Sequence, residues 1–229
     1  MKKPVRVTLV GSAGRMGRTI ADCARTEPNI EIVAQCDQGN DIAAGIKKSD
    51  VVIDFSLADS IGDVCQAALS HRKPLVIGTT GHSDQQKAII QDAAKSLSIV
   101  FASNFSVGVN TLFALTEKAA QVLGDNFNLE IIEAHHTGKK DAPSGTAKTL
   151  AEILKKARVG DQKISIQSIR EGDVVGEHTV IFDGKGERLE LIHRAKSRET
   201  FAKGALRAAE WVIGKPPGLY SMQDVLGLK

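Results

Sequence analysis

An apolar run rich in β-branched residues, Val5 to Val10, ends at Gly11 and gives way to helical spacing at Met16, Ile20, Ala21 and Ala24. A strand that stops on glycine and feeds a helix is half of a strand-helix-strand unit, and an unbroken apolar run means that both strand faces are covered. The pattern recurs. Ile30 to Cys36, Val51 to Phe55, Leu75 to Ile77 and Ile99 to Ala102 read as strands, with helical stretches between them, clearest over Ile61 to Leu69 and Asp84 to Lys95. Such alternation predicts a parallel sheet clad by helices on both faces, an α/β architecture.

The rhythm changes after Phe105. Val109 to Leu123 predicts a long amphipathic helix, Leu129 to His135 a strand, and Ser144 to Ala157 a helix. Ile164 to Ile169, His178 to Phe182 and Leu189 to His193 follow as successive strands, separated by Glu171-Gly172-Asp173 and Asp183-Gly184-Lys185-Gly186. Consecutive strands predict a mixed or antiparallel sheet, hence a second domain of α+β type. A closing helix, Thr200 to Ile213, is broken by Lys215-Pro216-Pro217-Gly218, because proline cannot continue the helical ladder.

The 229 residues, 42% of them hydrophobic, suffice for one large core or two small ones. Lys plus Arg total 30 against 27 acidic residues, a formal charge of +3. That balance argues against a nucleic-acid or membrane partner, and an aromatic content of 4% offers little for base stacking. Cys23, Cys36 and Cys65 form no CxxC pair and sit in apolar contexts. They predict reduced core thiols in a cytoplasmic protein. Met1-Lys2-Lys3-Pro4-Val5 runs straight into the first strand, so neither a signal peptide nor a membrane span is expected.

Gly11-Ser12-Ala13-Gly14-Arg15-Met16-Gly17 lies between the first strand and the first helix. Glycine lets the backbone turn tightly and approach a pyrophosphate, while the helix N-terminus supplies N–H groups and partial positive charge. The spacing is GxxGxxG rather than GxGxxG, so the strand-helix context carries the reading. Asp37, at the end of the second strand, stands where an acid can accept from ribose hydroxyls. Gly78-Thr79-Thr80-Gly81 and Ala102-Ser103-Asn104-Phe105 follow the fourth and fifth strands, at the carboxyl edge where open α/β sheets bind ligands. They are candidate walls of a nicotinamide pocket in a Rossmann-like domain.

In the second half, His135 and His136 follow a strand, where adjacent side chains point to opposite faces. One of them can face a cleft while the other supports it. Metal binding lacks a third ligand at suitable spacing. Lysine donates protons when partly desolvated, and of the neighbours Lys139 and Lys140 one reads as plain surface charge. Ser144-Gly145-Thr146 opens a helix, with Pro143 near its first position. Its N–H groups and the Thr146 hydroxyl suit a carboxylate. The helix dipole contributes only about 0.3–1 kcal/mol, so neighbouring cations must add to the affinity for an anion.

The stretch from Glu133 to Ala147, Glu-Ala-His-His-Thr-Gly-Lys-Lys-Asp-Ala-Pro-Ser-Gly-Thr-Ala, resembles the signature of the 4-hydroxy-tetrahydrodipicolinate (dihydrodipicolinate) reductase family. The likeness continues through Gly11 to Gly17, Val76 to Gly81, Ala102 to Asn110, Gly176-Glu177-His178-Thr179 and Gly186 to Glu190. It implies an NAD(P)H-dependent oxidoreductase of lysine and diaminopimelate biosynthesis. Hydride passes to a cyclic dicarboxylate, giving tetrahydrodipicolinate with loss of water. The resemblance implies His135 as the acid/base residue, Lys139 as the proton donor, and His136, Gly145 and Thr146 as carboxylate ligands. It assigns the cofactor to Gly11, Ser12, Ala13, Gly14, Arg15, Met16, Asp37, Gly78, Thr79, Thr80, Ala102, Ser103, Asn104 and Phe105. It further implies a homotetramer built through the second domain. Residues 1–106 and 198–229 would bind the dinucleotide and 107–197 the substrate and sister subunits, with hinges near Ser106-Val107 and Ser197-Arg198.

Two departures bear on the cofactor. Gln38-Gly39-Asn40-Asp41 is short beside longer relatives, and Gln38 stands where many relatives carry a basic residue able to meet a 2′-phosphate. Asp37 repels such a phosphate and Arg15 offsets this only in part, so NADH is expected to be preferred over NADPH. The alternative is an inactive dinucleotide-binding sensor of the same fold, which would need neither His135 nor Lys139. Thioester-forming dehydrogenases need a reactive cysteine near a histidine, and no cysteine lies beside His135.

Overall fold

The computed structural model describes residues 3–157 and 163–228. Met1 and Lys2, at the head of the run into the first strand, lie outside them. Strands β1 (Val5–Val10), β2 (Ile30–Cys36), β3 (Val51–Asp54), β4 (Leu75–Ile77) and β5 (Ser98–Phe101) alternate with helices α1 (Arg15–Ala24), α2 (Ile42–Lys47), α3 (Ile61–His71) and α4 (Asp84–Ala93). Then come α5 (Val107–Leu123), β6 (Asn128–His135), α6 (Gly145–Ala157), β7 (Ser165–Arg170), β8 (Glu177–Asp183) and β9 (Arg188–Arg194). Helix α7 (Glu199–Val212), strand β10 (Gly218–Tyr220) and helix α8 (Met222–Leu226) close the chain. Two compact units result: residues up to Phe105 together with Glu199–Gly227, and Ser106–Arg198.

The first unit is a six-stranded sheet in the order β10-β5-β4-β3-β1-β2, parallel throughout. Strand alternation sends Val7, Leu9, Ile53 and Val76 to one face, against Ile20 of α1 and Ala202, Ala205 and Ala209 of α7. Val10, Val52, Leu75 and Ile77 go to the other, against Ile46, Val64 and Ile90 of α2, α3 and α4. Both faces are therefore apolar and covered, as a parallel sheet requires. β1 lies between β2 and β3, so the chain reverses its direction of travel across the sheet there. Crevices at such points, outside the carboxyl ends of strands, are where open α/β sheets take ligands.

Edge strand β10 is absent from the sequence reading, which ends at the Pro216-Pro217 break. It spans three residues and Leu219 is 45% exposed, so no periodicity announces it. Proline just ahead of an edge strand costs no ladder hydrogen bond. The start of α5 also moves, from Val109 to Val107, because the Ser106 hydroxyl caps the helix by accepting from the Val109 N–H.

The second unit holds a four-stranded sheet, β7-β6-β8-β9. β6 pairs parallel with β7 and antiparallel with β8, and β8 antiparallel with β9, so the sheet is mixed. Leu129, Ile131, Val180 and Phe182 face α5 and α6 and form the core with Leu112, Phe113, Leu150 and Leu154. On the opposite face Ile132, Thr179 and Ile192 align across three strands. Ile192 is 45% exposed and Ile169 is 42% exposed.

Candidate active site

In the first unit the loop after β1 is shaped by steric need. Gly11 has φ of +80°, a region that side chains disfavour, and a Cβ there would stand 2.4 Å from the Phe55 carbonyl oxygen. A Cβ on Gly17 would lie 2.1 Å from the Gly11 carbonyl oxygen. These two glycines let α1 close against the loop and the loop against β3. Gly14 differs: a Cβ there would meet little besides the Gly11 carbonyl oxygen, at 3.3 Å. Packing does not demand glycine at that position, and a side chain would instead fill the space before the helix. No side chain caps α1 and no acid sits in its first turn. Outward N–H groups, a positive helix end and exposed Arg15 fit a dinucleotide pyrophosphate.

Asp37 ties this loop to the end of β2. Its carboxylate accepts from the Ser12 hydroxyl and from the Ala13 N–H, the latter at 3.0 and 3.1 Å. A carboxylate offers about four acceptor sites, so the capacity to accept a ribose hydroxyl coexists with this loop-holding duty. Phe55 packs on Phe105 at 5.6 Å between ring centroids, and Gly78 makes room for the Phe55 ring, which a Cβ would meet at 2.1 Å. The segments after β3, β4 and β5 thus converge. Thr79 turns its hydroxyl inward to Asp54, at 2.9 Å, and Ser56 donates to the same carboxylate. Burial pushes the Asp54 carboxyl above its ordinary range, against the pull of these hydrogen bonds. Thr80 and Ser103 remain exposed, and Ala102 and Asn104 half-buried. Phe55 and Asp54 are absent from the sequence-based set.

In the second unit the inward row of β6 runs Leu129, Ile131, Glu133, His135, every second residue as strand geometry dictates. Its last two members are polar. Glu133 is fully buried and accepts from His135 Nδ1. Arg170, at the end of β7, grips the same carboxylate with both Nη atoms, at 2.8 and 3.0 Å. The Ser144 N–H adds a third contact at 3.2 Å. Burial by itself raises the Glu133 carboxyl, but hydrogen bonds from Arg170, Ser168 and His135 outweigh it and bring it down to about 2. Glu133 is therefore ionised and cannot donate, so the shared proton belongs to His135 Nδ1. Burial pushes His135 below its ordinary value, with Glu133 pulling the other way. The neutral ring keeps its lone pair on Nε2.

Past the strand, Lys139 donates to Asp141 at 2.7 Å with its side chain 22% exposed, whereas Lys140 is exposed. Half-buried His136 sits beside them. Helix α6 begins at Gly145, later than the sequence suggests. Ser144 is the cap, its hydroxyl accepting from the Ala147 N–H at 3.2 Å. Helix geometry turns the first-turn N–H groups, those of Gly145 and Thr146, outward along the axis. The Ser144 hydroxyl also shares a hydrogen bond with His178 Nε2 at 3.2 Å. Burial, with His135 nearby, pushes His178 down to about 3, so it is neutral. The Lys139 ammonium, a neutral imidazole and a helix N-terminus within one short segment form a site suited to a small anion that exchanges protons.

Glu133, Arg170 and His178 are absent from the sequence-based site. Glu133 had a signal, its i,i+2 relation to His135 on a strand. His178 lay in the family-like Gly176-Glu177-His178-Thr179 motif but without an assigned role, and Arg170, which arrives from β7, had no signal. Among the described residues no cluster of metal-ligating side chains occurs.

The dihydrodipicolinate reductase N-terminus family model matches residues 5–105, and the C-terminus model of the same family matches residues 108–226. The chain is 48% identical over 242 aligned residues to the 4-hydroxy-tetrahydrodipicolinate reductase of Akkermansia muciniphila, covering 98% of each chain. Its identity to the Alkalilimnicola ehrlichii protein of the same name is 42%, over 97% of this chain and 99% of the relative. Among solved structures, the dipicolinate-bound dihydrodipicolinate reductase of Paenisporosarcina sp. TG-14 superposes with a TM-score of 0.81 at 24% identity, over 96% of this chain and 98% of that one. This last likeness is one of fold.

Proposed function

The chain belongs to the dihydrodipicolinate reductase family, and from that we propose how its residues carry out an NAD(P)H-dependent reduction of 4-hydroxy-tetrahydrodipicolinate in lysine and diaminopimelate biosynthesis. The observation that carries the reading is neutral His135, its Nδ1 committed to Glu133, in the same segment as Lys139 and the start of α6.

When bound, the reduced nicotinamide supplies hydride. Gly11 to Met16, Asp37, Gly78 to Thr80 and Ala102 to Phe105 would hold the dinucleotide. His136 and the N–H groups and hydroxyl of Gly145 and Thr146 hold a substrate carboxylate. Loss of the substrate hydroxyl as water consumes a proton, which Lys139 donates, while Asp141 keeps its ammonium aimed. His135 accepts and returns a proton at Nε2. Lys140, exposed, takes no part.

NADH is the preferred cofactor. Asp37 already concentrates negative charge at the end of β2, and Gln38 brings no cation to meet a 2′-phosphate. The enzyme works in the cytoplasm as a homotetramer, joined through the sheet face that carries Ile169 and Ile192.

The direct test is consumption of NADH with freshly made 4-hydroxy-tetrahydrodipicolinate. Turnover is expected. Cofactor binding without turnover would return the reading to a sensor.

A further inference from the structure

The function assigned to His135 leaves open what sets its working tautomer. Glu133 is a fully buried carboxylate, and burying a charge is costly unless it is paired and hydrogen-bonded. Here a bidentate fork from Arg170 meets that need. A leucine would fill such a position without any counter-ion, so the ion pair calls for a reason beyond packing. The geometry points to one: beside the Arg170 fork, the Ser144 N–H on Oε1 and the Ser168 side chain, Glu133 turns Oε2 to His135 Nδ1.

The far side of the buried ring meets a glycine rather than a side chain. Gly176, just before β8, faces His135 Nε2, and a Cβ at that position would lie 3.1 Å from it. His178 packs edge-on against the ring at 5.1 Å between centroids, which limits its rotation. One nitrogen is thus held by an anion and the other lies beside a glycine, where a Cβ would crowd it.

We propose that Glu133 is a positioning residue for the reductase reaction: held by Arg170, it keeps the proton of His135 on Nδ1 and so presents Nε2 as the reacting nitrogen. This rests on the reading of His135 as the acid/base residue. Glu133 touches no substrate and acts through the ring. It also restrains the start of α6 through the Ser144 amide, a structural duty that the test must separate.

The test compares kcat, KM and the pH profile of kcat for the wild type, Glu133→Gln, His135→Ala and the double variant. Glu133→Gln is expected to lower kcat about 10²-fold, to leave KM for NADH unchanged, and to move the limb belonging to His135 to lower pH, because an anion beside the ring has gone. Added to His135→Ala, it should cost almost nothing more in kcat, since the group it acts through is missing. A purely structural role would instead raise substrate KM, leave the pH limb in place and add in full to His135→Ala; that result overturns the proposal. So does near-normal kcat in Glu133→Gln when His135→Ala is impaired. Near-normal kcat in His135→Ala itself overturns the assignment of His135, and the proposal with it. If Glu133→Gln alone folds poorly, the same comparisons are made with Glu133→Gln plus Arg170→Gln, which leaves no buried charge unpaired.

Discussion

Lys139 donates to the carboxylate of Asp141 at 2.7 Å, and the carbonyl of that same Asp141 accepts from Arg170 at 2.5 Å. A flexible lysine is thereby anchored to a turn that is itself fastened to the end of β7. Of two adjacent lysines, one is held in place and its neighbour Lys140 is exposed. Pre-set geometry of this kind is what a proton donor requires.

Lys139→Ala is expected to lower kcat about 10²- to 10⁴-fold with little change in NADH affinity. Lys140→Ala should leave kcat within about twofold, since the side chain is exposed. Steady-state kinetics on both variants decides the matter, and near-normal kcat for Lys139→Ala would assign the proton elsewhere.

The ratio of kcat/KM for the two cofactors tests the role of Asp37. NADH should be favoured, because the carboxylate at the end of β2 repels a 2′-phosphate. A clear NADPH advantage would show that Arg15 outweighs it.

Gly17→Ala places a methyl group on the Gly11 carbonyl oxygen, 2.1 Å away, with backbone on both sides. The loop or α1 must move. A stability loss of about 1–3 kcal/mol is expected, together with a weaker rise in melting temperature on adding NADH. Thermal melts with and without cofactor would reveal both effects.

His178 carries an acid-sensitive share of the stability. Its folded value, about 3, lies below the ordinary 6.5, so the unfolded chain binds the extra proton first. Its contribution is complete above pH 6.5 and is lost as pH falls from there toward 3. At pH 5 the loss amounts to about 2 kcal/mol. Glu133 acts in the same direction lower down, between its ordinary 4.5 and about 2. Urea unfolding at pH 7 and pH 5 should show the decline, and His178→Gln should reduce it. An unchanged pH dependence in that variant would exclude His178 as its source.

Ile192→Glu puts a charge on the open face of the second sheet. If that face joins subunits, the variant should sediment as a smaller species at equal concentration while keeping its fold by circular dichroism. An unchanged mass would move the interface elsewhere.

Much of this molecule is legible from nearest neighbours along the chain. Val51 to Phe55 reads as a strand because its first three residues are apolar and β-branched, and Asp84 to Lys95 reads as a helix from its spacing, close to the observed α4. Gly11, Gly14 and Gly17 locate the turn between β1 and α1 for the same reason: turn and helix-end chemistry acts over a few residues. Strand β10 escapes such a reading because it is too short to have a period and exists through its pairing with β5. Helix α6 starts at Gly145 rather than Ser144, because the Ser144 hydroxyl serves as its cap.

The candidate site divides along the same line. Chain order alone places Glu133 and His135 on one face of a strand, and Lys139 and Gly145 just beyond it. What those groups are chemically was settled by partners distant in sequence, Arg170 on β7 and His178 on β8, brought alongside by strand register. The charge on Glu133, the tautomer of His135 and the neutrality of His178 depend on burial and on which donors surround a group once water is removed. Those surroundings come into being with the packed sheet.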